Sequence, residues 1–295
     1  MLKTFFKLLL CIIVYTIVFM MASAVMPYSE GFKELTSSDN PFMILFMMVY
    51  NACICFTMYF IIKHAHSRGK KLFLNMVFVM FFIQSFMPHI ESLFFGSVFF
   101  ELTKLDVILI MLAGLFPLLA TVPLLLKFFQ NKNDLEIKTK INFNNILVKL
   151  GIIGVVYLCS YILLGFLMTW AFAEFKTHYG ETIANTPNVY LNVSVQIVRG
   201  ILFGVFIIPL ISIIKTKRIF ILSVCMVYLC TGIQLLIPND FFPEQLRYIY
   251  LIEMSGAMLL FGIFVGNILW WNGKQKPSST TGTIDASEAI VQRTM

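Results

Sequence analysis

Apolar residues run nearly unbroken over eight stretches of the chain: about 4–26, 41–63, 72–94, 105–127, 148–171, 191–214, 219–237 and 247–270. Each comes close to the roughly 20 residues with which an α-helix crosses bilayer hydrocarbon. None shows the ten-residue alternation of a membrane β-strand. The pattern predicts an all-α, polytopic membrane protein with eight transmembrane helices, forming one domain over residues 1–271. The last stretch, 272–295, is rich in Ser and Thr and poor in large apolar residues, which predicts a disordered cytoplasmic tail. No internal repeat relates the two halves, which weakens an inverted-repeat transporter architecture.

Composition agrees with this pattern. Hydrophobic residues make up 59% of the chain and charged residues 13%, against about 45–50% and 25% in soluble domains. The six cysteines all fall inside apolar runs, where they read as reduced packing residues.

Charge then adds orientation. Of the Lys and Arg residues, 17 lie in alternate connections and the ends, and 4 lie in the connections between them. The positive-inside rule places both termini in the cytoplasm of a plasma membrane, the inner membrane if the cell has two. The net charge of +7 is therefore an orientation signal, and nucleic acid is not an expected partner. His64 and His66, among basic residues, read as solvated and beside anionic headgroups. The first run competes with a signal-peptide reading, because MLKTFFK is basic and Ala22-Ser23-Ala24 is a small-residue site. Retention keeps the even count that the charges require.

The candidate chemistry lies where polar residues interrupt the runs. Gln84, His89 and Glu91 surround Pro88 near the outer end of the third run. By helical rise, Arg199 lies about 12 Å and Glu253 about 9 Å below the outer end of its own span. Gln196 shares that outer half. Charges at such depth are costly unless paired, so they mark a site by default. The expectation is an ion pair from Arg199 to Glu253 or Glu91, in a polar cavity open to the outside and rimmed by Gln84 and Gln196. Asp106 reads as the cap of the fourth span. His89 and Glu91 are two apart, the wrong spacing for one helical face. A zinc site needs three or four ligands, so no metal and no cofactor is expected.

Gly200 with Gly204 and Gly262 with Gly266 are GxxxG pairs. They suit close helix packing inside the bundle, with a homodimer or partner face as the competing use. Pro117, Pro123 and Pro209 lie inside spans and predict kinks.

Three stretches also resemble a loose group of uncharacterised bacterial multi-spanning membrane proteins. They are YILLGFLMTWAFAEFKTHYG (161–180), VQIVRGILFGVFIIPLI (195–211) and IPNDFFPEQLRYIYLIEMSGAMLLFG (237–262), with residues 84–95 beside them. The resemblance implies a shared role for Arg199, Glu91 and Glu253. The group has histidine where Tyr250 stands and glutamine where His89 stands, which argues further against a metal.

The leading function expected from sequence is binding or translocation of a small anionic solute or lipid, with Arg199 as the charge anchor. An intramembrane enzyme using His89 and Glu91, and a non-catalytic subunit docking a membrane partner, are the alternatives.

Overall fold

A computed structural model of the chain describes residues 2–36, 40–93, 103–130, 145–172, 176, 189–238 and 243–270. The tail at 272–295 and most of the connections at 130–145 and 172–190 lie outside the described residues.

Among the described residues, eight helices are long and apolar enough to cross a membrane. The first is α1 (Leu2–Val25), followed by a short α2 (Glu30–Thr36) and the second span, α3 (Met43–His64). The third span starts as α4 (Gly69–Phe81) and runs on to Leu93 through irregular turns. The fourth consists of α5 (Lys104–Ala113) and α6 (Leu115–Phe129). The last four are α7 (Ile146–Ala171), α8 (Val189–Ile213), α9 (Lys217–Ile233) and α10 (Glu244–Trp270). Among the described residues there is no strand, and one isolated bridge pairs Ala65 with Ile214. The fold is an all-α, polytopic bundle.

The distribution of apolar residues is that of a protein dissolved in lipid. Ile54, Met58, Leu72, Met76, Met80, Phe203, Phe220, Tyr228 and Phe261 fill the interior. Leu10, Ile17, Leu45, Phe56, Ile108, Leu163, Phe166, Leu260 and Phe264 stand exposed on the outer faces of the spans. In water such continuous apolar faces would aggregate. In a bilayer they are the solvated surface, and the protein contacts lipid through them.

With apolar solvent outside, helix association rests on close packing rather than on the hydrophobic effect. Both GxxxG pairs serve this inside the bundle. A Cβ at Gly200 would lie 2.5 Å from the Cβ of Tyr157 and 2.8 Å from the Cα of Gly154, so α7 and α8 touch at backbone distance. A Cβ at Gly262 would lie 2.9 Å from the Cα of Cys225, and one at Gly266 would crowd Ile221. That close approach binds α10 to α9, and a second copy has no room at either motif.

Proline and glycine shape the fourth and third spans, at Pro117 and at Pro88. The fourth span breaks at Gly114, three residues before Pro117. Pro117 has no N–H for the carbonyl one turn back, which loosens the helix at that point. A Cβ at Gly114 would sit 2.1 Å from the Ser85 Oγ, so the break lets the third span press into the fourth. In the third span, Pro88 likewise has no N–H to donate. The backbone widens to a π turn over Phe82–Phe86, with Met87 N–H bonding to the Phe82 carbonyl, then tightens to a 3-10 turn over Met87–His89.

Asp106 caps the fourth span, as its position suggested. Its carboxylate accepts from Thr103 and receives both the backbone N–H (2.8 Å) and the hydroxyl (2.7 Å) of Ser29. This fastens the α2 segment over the end of α5, where Phe32 packs on Val107 and Met111. At the other end of the bundle, His66 departs from expectation. It is fully buried, and its backbone N–H donates to the Ile213 carbonyl at 2.9 Å. A short bridge to the end of α8 draws this loop inward. His64 donates from Nδ1 to the Phe60 carbonyl (2.8 Å) and lies against the Phe60 ring.

Candidate functional site

The polar centre forms where the end of the third span, α7 and α8 converge. On α8, Asn192, Gln196 and Arg199 recur at intervals of four and three, which places them on one helical face. Arg199 lies about 21 Å from the helix end at Ile213, at 1.5 Å per residue. Its residue exposure is 4%, and that of Gln196 is 1%.

Glu91 supplies the counter-charge. Its Oε1 stands 2.5 Å from Arg199 Nη1. The same oxygen accepts from Gln196 Nε2, which also donates to Asn192 Oδ1 at 3.2 Å. Arg199 Nη1 in turn donates to Gln196 Oε1 at 3.3 Å. Beneath the guanidinium lies the Tyr157 ring, 5.7 Å from Cζ to centroid. That placement depends on Gly200, whose missing side chain admits α7. Behind Tyr157 the rings of Phe203, Tyr228 and Phe261 form a dense aromatic cluster, and the Tyr228 hydroxyl donates to the Phe203 carbonyl at 2.8 Å.

The guanidinium is only partly used. Glu91 and Gln196 both act on Nη1. The Arg199 Nε is buried and has no hydrogen-bond partner among the described residues. A guanidinium carries five donors in a planar fork.

The remaining expected site residues fall elsewhere. Gln84 is buried but turns toward α9, donating from Nε2 to the Val227 carbonyl at 2.6 Å. It lies in the π turn, and its role there is to tie the widened backbone to a neighbouring helix. Glu253 is half-buried on α10 and makes no ion pair or hydrogen bond among the described residues. The reason is lateral: α7 packs between α8 and α10, which barely touch, so similar depth does not bring Glu253 to Arg199. His89 is half-buried in the 3-10 turn, and no hydrogen bond joins it to Glu91 among the described residues. No group of three or more His, Cys, Asp and Glu side chains suited to a metal occurs among the described residues.

Sequence reasoning missed Asn192 and Tyr157. Asn192 was signalled by its spacing of four from Gln196. Tyr157 had no such signal, because its place under Arg199 depends on how α7 docks.

Fold and site together define a multi-pass, α-helical integral membrane protein with a buried, partly satisfied arginine at its polar centre. Comparison with protein-family models, curated proteins and solved structures yields no match.

Proposed function

We propose that the protein binds a small anionic solute or an anionic lipid headgroup at Arg199, in the outer half of a plasma-membrane bilayer, as a step in its movement across or within the membrane. The observation that carries this reading is the buried Arg199 Nε, which has no hydrogen-bond partner among the described residues. A buried charged donor without a partner costs more than an ordinary missing hydrogen bond. A carboxylate or phosphate oxygen accepts a charge-assisted N–H bond from such a donor. Glu91, with its side chain 35% exposed, reaches the cluster from the more open side. Gln196 would hold either Glu91 or the incoming anion. The resemblance noted in the sequence supports Arg199 and Glu91 as a working pair, and Glu253 stands apart from it.

The test uses the purified full chain in lipid nanodiscs, with acetate, succinate and inorganic phosphate as probes. At least one anion is expected to raise the melting temperature of the wild type and not of Arg199→Met with Glu91→Leu. Uptake of that anion into reconstituted vesicles then separates transport from binding alone. If the double variant folds and keeps every response and the cellular phenotype of the wild type, the pair is architectural and the reading fails.

A further inference from the structure

A second site lies at the opposite, basic end of the bundle. There α4 begins and α6 ends, side by side and antiparallel. Between them runs an open groove of about 540 Å³ lined by Gly69, Phe73, Pro123, Leu126, Lys127 and Gln130. That volume falls within the roughly 300–1,000 Å³ usual for small-molecule sites. Its lining is graded along the membrane normal. Phe73 lies a turn deeper than Gly69, Pro123 a turn deeper than Lys127, and Leu126 a turn deeper than Gln130. The groove is apolar toward the hydrocarbon and polar at its mouth.

Four features of the mouth suit an anion. Lys127 is exposed and forms no ion pair among the described residues. The Gln130 Nε2 is buried without a hydrogen-bond partner among them. The α4 helix opens at Gly69, in a left-handed turn with φ +53°, and the Arg68 side chain before it makes no capping bond to the helix. N–H groups at a helix start favour phosphate. Lys70, exposed in the first turn of α4, adds positive charge.

We propose that this groove is a binding site for an anionic phospholipid. The headgroup phosphate sits between Lys127, Gln130 and the start of α4, and one acyl chain lies along Phe73, Pro123 and Leu126. A free phosphate would use the mouth and leave the apolar wall idle, so the graded lining favours the lipid. The site is independent of Arg199, which lies in the other half of the bundle.

The test is lipid binding by native mass spectrometry on the purified full chain, titrated with phosphatidylglycerol and with phosphatidylcholine of the same chains. Phosphatidylglycerol is expected to bind more tightly. Each surface charge alters such binding about fivefold. Lys127→Gln should therefore weaken it about fivefold and Lys127→Glu about 25-fold, while Gln130→Leu weakens it less. Lys217→Glu lies on the same basic face but outside the groove, and should leave this binding unchanged. Lys127 is exposed, so its variants should fold, and an unchanged melting temperature without lipid checks this. Equal binding of the two lipids would overturn the proposal. So would a Lys217→Glu effect as large as that of Lys127→Glu, which would indicate diffuse surface charge. Displacement of phosphatidylglycerol by inorganic phosphate at equal concentration would also overturn it in favour of a free-phosphate site.

Discussion

Removing either member of the Arg199–Glu91 pair should have unequal consequences. The two side chains differ in surroundings: that of Arg199 is 5% exposed and that of Glu91 is 35% exposed. In Glu91→Leu the guanidinium stays buried and, among the described residues, has Gln196 Oε1, at 3.3 Å, to receive it. Breaking a buried pair in this way costs about 3–5 kcal/mol. The half-open position of Glu91 and the help from Gln196 put the expected loss near the lower end, about 3 kcal/mol. In Arg199→Met the orphaned group is Glu91, which water or headgroups can reach. The loss is then the pair itself, about 0–1 kcal/mol for a partly exposed pair, and the contact with the Tyr157 ring, about 0.5–1 kcal/mol. The double variant should resemble Arg199→Met alone, at about 1–2 kcal/mol, because no charge is left stranded. The cycle therefore predicts a coupling of about 3 kcal/mol between the two sites. Equilibrium unfolding of the purified protein in mixed detergent micelles, on the wild type, both singles and the double, measures all four corners. A Glu91→Leu loss no larger than that of Arg199→Met would refute the argument. Additive single effects would refute it as well, since they would mean that the pair does not act as a unit.

Other consequences of the structure are open to test. Gly200→Ala should destabilise the bundle by about 1–3 kcal/mol through overpacking against Tyr157 and Gly154, whereas Gly256→Ala, which meets nothing within 4 Å, should be neutral or stabilise by up to about 1 kcal/mol; thermal melts of both variants make the comparison. Gly114→Ala should also be destabilising, because its Cβ would collide with Ser85, and Ser85→Gly in the same chain should restore much of the loss; independent, additive effects in the melts would contradict this. Reporter fusions at Lys70 and Thr182 should report opposite sides of the membrane, with Lys70 cytoplasmic; the same side for both would overturn the orientation.

The eight spans were legible because hydrocarbon thickness sets a length that no other structure in the chain satisfies. Depth was legible too, since 1.5 Å per residue converts position into distance along the membrane normal. Arg199 and Glu91 were brought together on that basis, and they do meet. Rotation and neighbourhood were not legible. Gln84 and Glu91 are seven apart, which on a regular helix would leave them within about 20° of one face. The π turn between them breaks that register, and Gln84 faces α9 while Glu91 faces α8. Glu253 has a suitable depth but the wrong neighbour, a fact set by how α7 inserts between two helices. His66 read as solvated because short basic loops usually are. Its burial depends on one bridge to the far end of α8, more than 140 residues away in sequence.

The seat of α1 has a consequence for the order of assembly. Through Cys11, Tyr15 and Thr16 it packs on α3 and, more extensively, on α6. Its polar link to α3 is the bond from Asn51 Nδ2 to Thr16 Oγ1, at 3.0 Å. During synthesis α3 follows directly, but α6 emerges roughly 90 residues after α1 is complete, about 5–20 s later at 5–20 residues per second. For that interval the first helix has half its groove and one hydrogen bond, and lipid occupies the rest. The Thr16–Asn51 bond is thus the early tether of the nascent bundle, and the arrival of α6 is the event that closes it.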